Sequence, residues 1–369
     1  MSRRKLRLSR RQKLARQWLP LYEAADRIKE LAPWDWMEED DIFGVQDPET
    51  GEIGFVSVMG LLGEHLCIGV YLGTQAFHQF LGISDLVAPH FEDDIIDGLE
   101  IMSQLLAIPQ MQASFENQDM VTKEDAGIMR RLKLNYSGLA AYPIFRSMHP
   151  GCPPVLLDVE RIPFLIHVLE QTMDVAVRFE EDESLLYPDD VGDDETYLLR
   201  VASEEDGKLI WRDEIRLFPE PEPPVIFFEV EPDTYKALEK VPRVGNSVEI
   251  DLFMLPLPVD ERGIERPFFP YSLLVADSDS GLLLSQDMLS PLPSMDAMYS
   301  EIPQRVVDLL LHNNILPYEI YTQRPEITAL LTPVFAQLDV PVVEQPFLPM
   351  LDDAKLTLLE FLEDDLSGF

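Results

Sequence analysis

Four prolines within six residues, Pro219-Glu220-Pro221-Glu222-Pro223-Pro224, constrain this chain more than any other stretch, because neither a helix nor a central strand continues through them. Such a segment is extended and stiff, and a domain boundary is expected near it. Just upstream, residues 180–195 hold nine acidic side chains in sixteen, the composition of a solvated connector. A chain of 369 residues is long enough for two cores. The organisation expected is a basic arm (1–16), an N-terminal α+β domain (17–179), a connector with a hairpin and the Pro-rich spacer (180–224), and a C-terminal α/β domain (225–369).

Leu14, Trp18, Leu21, Ala25, Ile28 and Leu31 recur at steps of three and four, one face of a leading amphipathic helix in which Pro20 predicts a kink or a new first turn. Three strands come next, over 42–46, 54–58 and 66–72, with Asp47-Pro48-Glu49-Thr50-Gly51 as the first turn. Helices are expected over 74–81, 93–106 and 158–170, strands or irregular structure fill the stretch from the second of these to Ser147, and 145–154 carries too many turn formers to be regular. A hairpin over 197–202 and 209–217 crosses Glu204 to Lys208. Beyond the spacer come a strand (225–230), a helix (233–240), strands (247–255, 272–276, 282–286), a helix (295–313), a strand (318–322), a helix (325–338), a strand (340–344) and a last helix (352–363). This order predicts an α+β protein of two domains. The first is a helix with an antiparallel meander, and the second, mixed α/β, is a mixed sheet flanked by helices.

Charge narrows the partners. The 29 Lys and Arg residues face 67 Asp and Glu, a formal net charge of −38, and such a field repels phosphate, which argues against a nonspecific DNA-coating or acidic-membrane-binding protein. Residues 1–16 are the exception, with eight basic side chains and no acidic one. That arm is the one route to nucleic acid, and it equally suits docking onto its own protein. Cys67 and Cys152 are too few for a disulfide framework, no apolar run is long enough for a membrane span, and the basic start lacks a secretory core. A cytoplasmic protein is expected.

Familiar catalytic patterns are missing from the sequence: no phosphate-cradling Gly-x-x-x-x-Gly-Lys, no Gly-x-Gly-x-x-Gly, no His-Glu-x-x-His and no Gly-x-Ser-x-Gly. Two groups remain as binding candidates. Arg146 and His149, in the turn-rich segment, offer a planar donor fork and a protonatable ring for an anion; the plainer role is a packed connector in which Arg146 neutralises a carboxylate. Trp34 and Trp36, flanking Asp35, can stack on a base or peptide, or pin the first helix to the meander.

Ala32-Pro33-Trp34-Asp35-Trp36, Phe55-Val56-Ser57-Val58-Met59-Gly60, Val70-Tyr71-Leu72-Gly73, the Phe145-Arg146-Ser147 to Pro150-Gly151 turn, Pro317-Tyr318-Glu319-Ile320-Tyr321 and Val340-Pro341-Val342-Val343 together make the chain resemble an uncharacterised bacterial family of unknown function. That resemblance implies a shared two-part architecture and supplies no catalytic residues. Residues 270–344 also resemble a degenerate ribonuclease H-like layout, which implies a metal-binding carboxylate at the end of its first strand. Asp277 and Asp279 stand there, in an Asp-Ser-Asp-Ser-Gly sequence that is also a strong turn. The second expected position ends in Thr322 and Gln323 instead of an Asp, leaving Glu344, or Asp352 and Asp353, as the third carboxylate. Two functions fit these residues. One is a noncatalytic interaction or regulatory protein that binds another protein, needs no cofactor and forms a homodimer on base rates. The alternative is a Mg²⁺- or Mn²⁺-dependent phosphoryl-transfer enzyme using Asp277, Asp279 and Glu344.

Overall fold

The computed structural model describes residues 10–63, 65–86, 95–187, 196–220, 225–260, 263, 264 and 266–367. Most of the basic arm, residues 1–9, the acidic tract 188–195 and the spacer core 221–224 lie outside the described residues. Two compact units divide the chain: residues 1–82, 108–149 and 154–222, and residues 83–107, 150–153 and 223–369. The class is α+β.

The first part of the chain runs α1 (Arg10–Leu31), β1 (Phe43–Gln46), β2 (Ile53–Met59), β3 (Cys67–Leu72), α2 (Gly73–Leu86), α3 (Ile95–Ala107), β4 (Gln110–Glu116), α4 (Lys123–Leu132), β5 (Tyr142–Met148), β6 (Val155–Leu156), α5 (Ile162–Glu181), β7 (Thr196–Glu205) and β8 (Lys208–Leu217). It continues as α6 (Pro232–Leu238), β9 (Val248–Met254), β10 (Tyr271–Asp277), β11 (Leu283–Leu289), α7 (Met295–His312), β12 (Ile320–Thr322), α8 (Pro325–Ala336), β13 (Val342–Glu344) and α9 (Pro349–Ser367).

In the first unit eight strands lie in the order β6-β5-β4-β3-β2-β1-β7-β8. Neighbours are antiparallel except β1 and β7, which run parallel and so need the long crossover that α5 supplies. Strand alternation sorts the side chains: Val56 and Val58 join the core under α1 and α5, whereas Phe55 points the other way and stacks on Phe77 of α2, centroids 4.3 Å apart. Trp18, Leu21, Ala25 and Ile28 are the buried stripe of α1, as their spacing predicts. No second helix starts at Pro20. Pro20 sits on the exposed side of a helix that runs through it, where water can take the carbonyl left without a donor.

Five segments depart from the sequence reading. Phe145 to Met148 are strand, because β5 pairs with β4 along its whole length and the turn formers begin only at Pro150. Residues 123–132 are helical, started by a capping box in which Thr122 and Asp125 each bond the other's backbone amide. Residues 225–230 form no regular strand. The hairpin grouped with the connector, β7 and β8, is instead one side of the first unit's sheet, and α3 belongs to the second unit, where Met102 and Leu106 pack on that unit's core.

In the second unit the order is β11-β10-β9-β12-β13, with β9, β10 and β11 an antiparallel meander and β12 and β13 parallel to β9. Val248, Ile250 and Leu252 of β9 face the core shared with α7 and α8. Phe253 and Leu255 face a smaller cluster closed by Leu348 and Leu351. Both faces of this sheet are therefore covered, and β9 is buried at every position.

Gly54 of β2 packs tightly beneath α5: a Cβ there would sit 2.6 Å from Val70 and 3.0 Å from Phe164. Gly54→Ala is expected to destabilise the first unit by about 1–3 kcal/mol, the usual range for overpacking. Tryptophan emission reads this unit alone, since Trp18, Trp34, Trp36 and Trp211 all belong to it, so a lowered denaturant midpoint in fluorescence checks the expectation.

Candidate functional site

The most concentrated buried charge among the described residues lies in the second unit, under α9. Alternation along Val248-Glu249-Ile250-Asp251-Leu252-Phe253-Met254 places the two carboxylates on the α9 side of β9, and both are removed from water. Asp251 has no exposed surface and is held by two cations. Lys355 of α9 brings Nζ to 2.6 Å from Oδ2, and Arg324, in the turn before α8, brings Nε to 3.3 Å from Oδ1. Lys355 also reaches Asp352 at 3.1 Å and stands 5.9 Å above the Phe253 ring. Two carboxylates thus face two cations.

Glu249 does a different job. Its Oε2 accepts the amides of Met350 and Leu351, each at 3.0 Å, in the first turn of α9, where unpaired donors and the helix dipole favour negative charge. Burial pushes the Glu249 carboxyl up, although the two amides pull it down. For Lys355, burial acts against the charged form, but Asp251 and Asp352 outweigh it and hold the ammonium above its ordinary range. A lysine kept protonated is no nucleophile, and Asp251 has a cation against each of its oxygens. The geometry makes this cluster an anchor for α9.

The carboxylates named from sequence fall elsewhere. Asp277 ends β10 and accepts hydrogen bonds from Asn246 Nδ2 (2.8 Å), Ser280 N and Oγ (2.8 and 2.7 Å) and Asp279 N (3.2 Å), the turn role that its sequence suggests. These donors hold its carboxyl below the usual range. Glu344 ends β13, three strand positions away across the sheet, or about 14 Å at ordinary interstrand spacing. Among the described residues no group of three or more His, Cys, Asp or Glu side chains is placed to hold a metal ion.

Arg146 stands on β5 and forks onto Asp125, Nη1 to Oδ1 at 2.9 Å and Nη2 to Oδ2 at 2.7 Å. Burial raises the Asp125 carboxyl, but Arg146 and Thr122 more than reverse this and hold it below its usual range. His149 Nε2 lies 2.9 Å from Asp158 Oδ2. Trp34 is buried against Phe115, and Trp36 donates Nε1–H to the carbonyl of Ala176 at 3.0 Å, so both rings pin the start of the meander to the core.

Sequence reasoning passed over Asp251, Lys355, Arg324 and Asp125. One signal was present: Lys355 is the single basic residue in the nineteen of α9. Lys355→Met leaves a buried carboxylate half-paired and is expected to cost about 3–5 kcal/mol, more than Asp251→Leu combined with Lys355→Met. Amide exchange of α9 and β9 measures it. The pH dependence has a definite sign: a lysine raised in the folded state stabilises fully below its unfolded value, about 10.4, and loses this as pH climbs through the folded one. The alkaline loss is expected in the wild type and smaller in Lys355→Met, where Tyr235 and Tyr321, also raised in the folded state, still contribute.

Residues 18–200 match a domain of unknown function (DUF7309), from the buried Trp18 of α1 into β7, and residues 234–359 match a second domain of unknown function (DUF6930), from α6 into α9. No curated protein matches the chain. The two matches fall on the two sheets, so the protein joins in one polypeptide two parts that are similar to two families, both of unknown function.

Proposed function

We propose that the chain is a noncatalytic interaction protein that engages another protein by strand addition at β8. One observation carries this reading: β8, ten residues long, is the terminal strand of the first sheet and is exposed along nearly its whole length. The opposite edge, β6, has only two residues. Long free edges offer a row of unused amides and carbonyls to any extended segment, and proteins that do not use them shorten or cover them. Leu209, Ile210, Ile215 and Leu217 are all exposed on this strand, which gives an added segment apolar contacts beside the main-chain bonds.

The acidic surface suits a protein partner better than nucleic acid. Among the described residues no helix is long and apolar enough to cross a membrane, and Cys67 and Cys152 are buried free thiols, which fits the cytoplasmic setting of this reading. The phosphoryl-transfer alternative relies on Asp277, Asp279 and Glu344, and nothing in their placement favours it.

Gel filtration of an extract from cells that make the protein at its natural level tests the reading. The wild-type chain is expected to elute in a complex larger than its own 42.2 kDa, and the Ile215→Pro chain at that mass. Elution of both at 42.2 kDa, or of both in the same complex, would sink strand addition at β8.

A further inference from the structure

We infer that the segment which adds to β8 is β8 of a second copy, paired antiparallel across a two-fold axis at Asp213; this rests on the strand-addition reading and names its partner. The hairpin turn sets the register. Glu205 pairs with Lys208 around Asp206 and Gly207, whose φ angles of 51° and 72° are those of a two-residue type I′ loop. Residues flanking such a loop form a hydrogen-bonded pair, and bonded and non-bonded pairs alternate from there. Even-numbered residues of β8 therefore bond to β7, and odd-numbered ones, from Leu209 to Leu217, turn their amides and carbonyls to the free edge.

An antiparallel partner forms a ladder only if outward-facing residues meet outward-facing residues, so a two-fold pairing of β8 with itself must be centred on a residue of the strand. Centring on Arg212 sets Lys208 against Arg216, and centring on Glu214 sets Arg212 against Arg216, like charges in direct opposition. Centres at Trp211 or Ile215 leave part of the strand unpaired. The Asp213 centre pairs Leu209 to Leu217, nearly all of β8, without setting two basic residues in opposition. It sets Trp211 against Ile215 and Leu209 against Leu217, apolar pairs on one face, and it sets Arg212 against Glu214 in non-bonded pairs, where side chains approach closest. Around Asp213 the strand is nearly a palindrome in its chemistry.

Two features prepare the centre. The two Asp213 carboxylates meet at the axis, and each is already neutralised from its own chain by Arg200 and Arg178. Burial raises this carboxyl and the two guanidinium groups more than reverse it, so it stays ionised and satisfied. Arg212 and Glu214 are held only by exposed ion pairs, to Glu205 and to Arg216, which are weak enough to exchange for one across the axis. Trp211, packed beside His167 of α5, and the exposed Ile215 and Leu217 would join their symmetry mates in two apolar patches, one on each side of the Asp213 pair.

Sedimentation of the purified chain over a micromolar concentration series tests the pairing. The wild type is expected to reach twice the 42.2 kDa chain mass. Arg212→Glu and Glu214→Arg, which each put like charges in opposition twice, are each expected to weaken the dimer by about tenfold or more, and the double variant, which restores opposite charges, to recover it. Ile215→Pro removes an outward amide without touching a bond to β7 and is expected to leave a monomer, with unchanged far-ultraviolet circular dichroism and amide protection of β2 to β5 showing that the unit is still folded. A wild-type monomer throughout overturns self-pairing while leaving strand addition to a different chain, which the extract experiment decides. A dimer indifferent to Ile215→Pro and to both charge reversals overturns β8 as the seam.

Discussion

The parallel pairing of β1 with β7 is the joint on which the first unit depends. Gly44 and Val45 lie opposite Leu199 and Arg200, and through this short contact the chain, after the whole of α5, rejoins the strand with which the meander began. Without it the hairpin of β7 and β8 would be a two-stranded ribbon, an arrangement of marginal stability by itself. Arg200 fixes the joint from within. It is almost wholly buried, donates Nε–H to Gln171 Oε1 of α5 at 2.9 Å, and reaches Asp174 at 3.1 Å and Asp213 beside it. Helix, joint and outer strand are thus tied through one guanidinium. The sheet grows to eight strands on that tie, and growth ends at β8 because the described chain supplies nothing further to pair with it.

In a protein with 67 acidic and 29 basic residues, where each buried cation goes is decisive. Self-repulsion is the general penalty of such a composition, and it is relieved most where a positive group is placed among several carboxylates with water excluded. In both units a buried cation is set against carboxylates: Arg146 on Asp125, Arg200 between Asp174 and Asp213, and Lys355 between Asp251 and Asp352. Each joins a strand to a helix. None is a surface pair of the kind that contributes little.

Much of the fold was legible in periodicity. The buried stripe of α1, the three strands of the meander and the order of helix and strand from β9 to α9 all come from spacing and turn residues, since these respond to local backbone chemistry. What failed was long-range. Glu249 and Asp251 alternate with apolar residues as if one face of β9 met water, and only the return of α9 a hundred residues later removes that face from solvent. Arg146 reads as a loop residue because Pro150-Gly151 stands close by, whereas its partner Asp125 lies in a helix whose capping box is four residues long and easily missed among charges. For the carboxylates at Asp277 and Glu344, strand identity was readable, but their distance across the sheet depends on strand order, which spacing does not encode.

The buried carboxylate beneath α9 has one more consequence, for the position of the helix along its own axis. Leu351 and Leu359 stand one turn before and one turn after Lys355, and both are buried, so an apolar surface alone would accept α9 nearly as well if it slid by a turn. Asp251 forbids the slide. In either displaced position a leucine would face a carboxylate with no exposed surface, and its charge would be stranded among hydrocarbon with only Arg324 beside it. The ion pair contributes less to how tightly the helix is held than to where it stops.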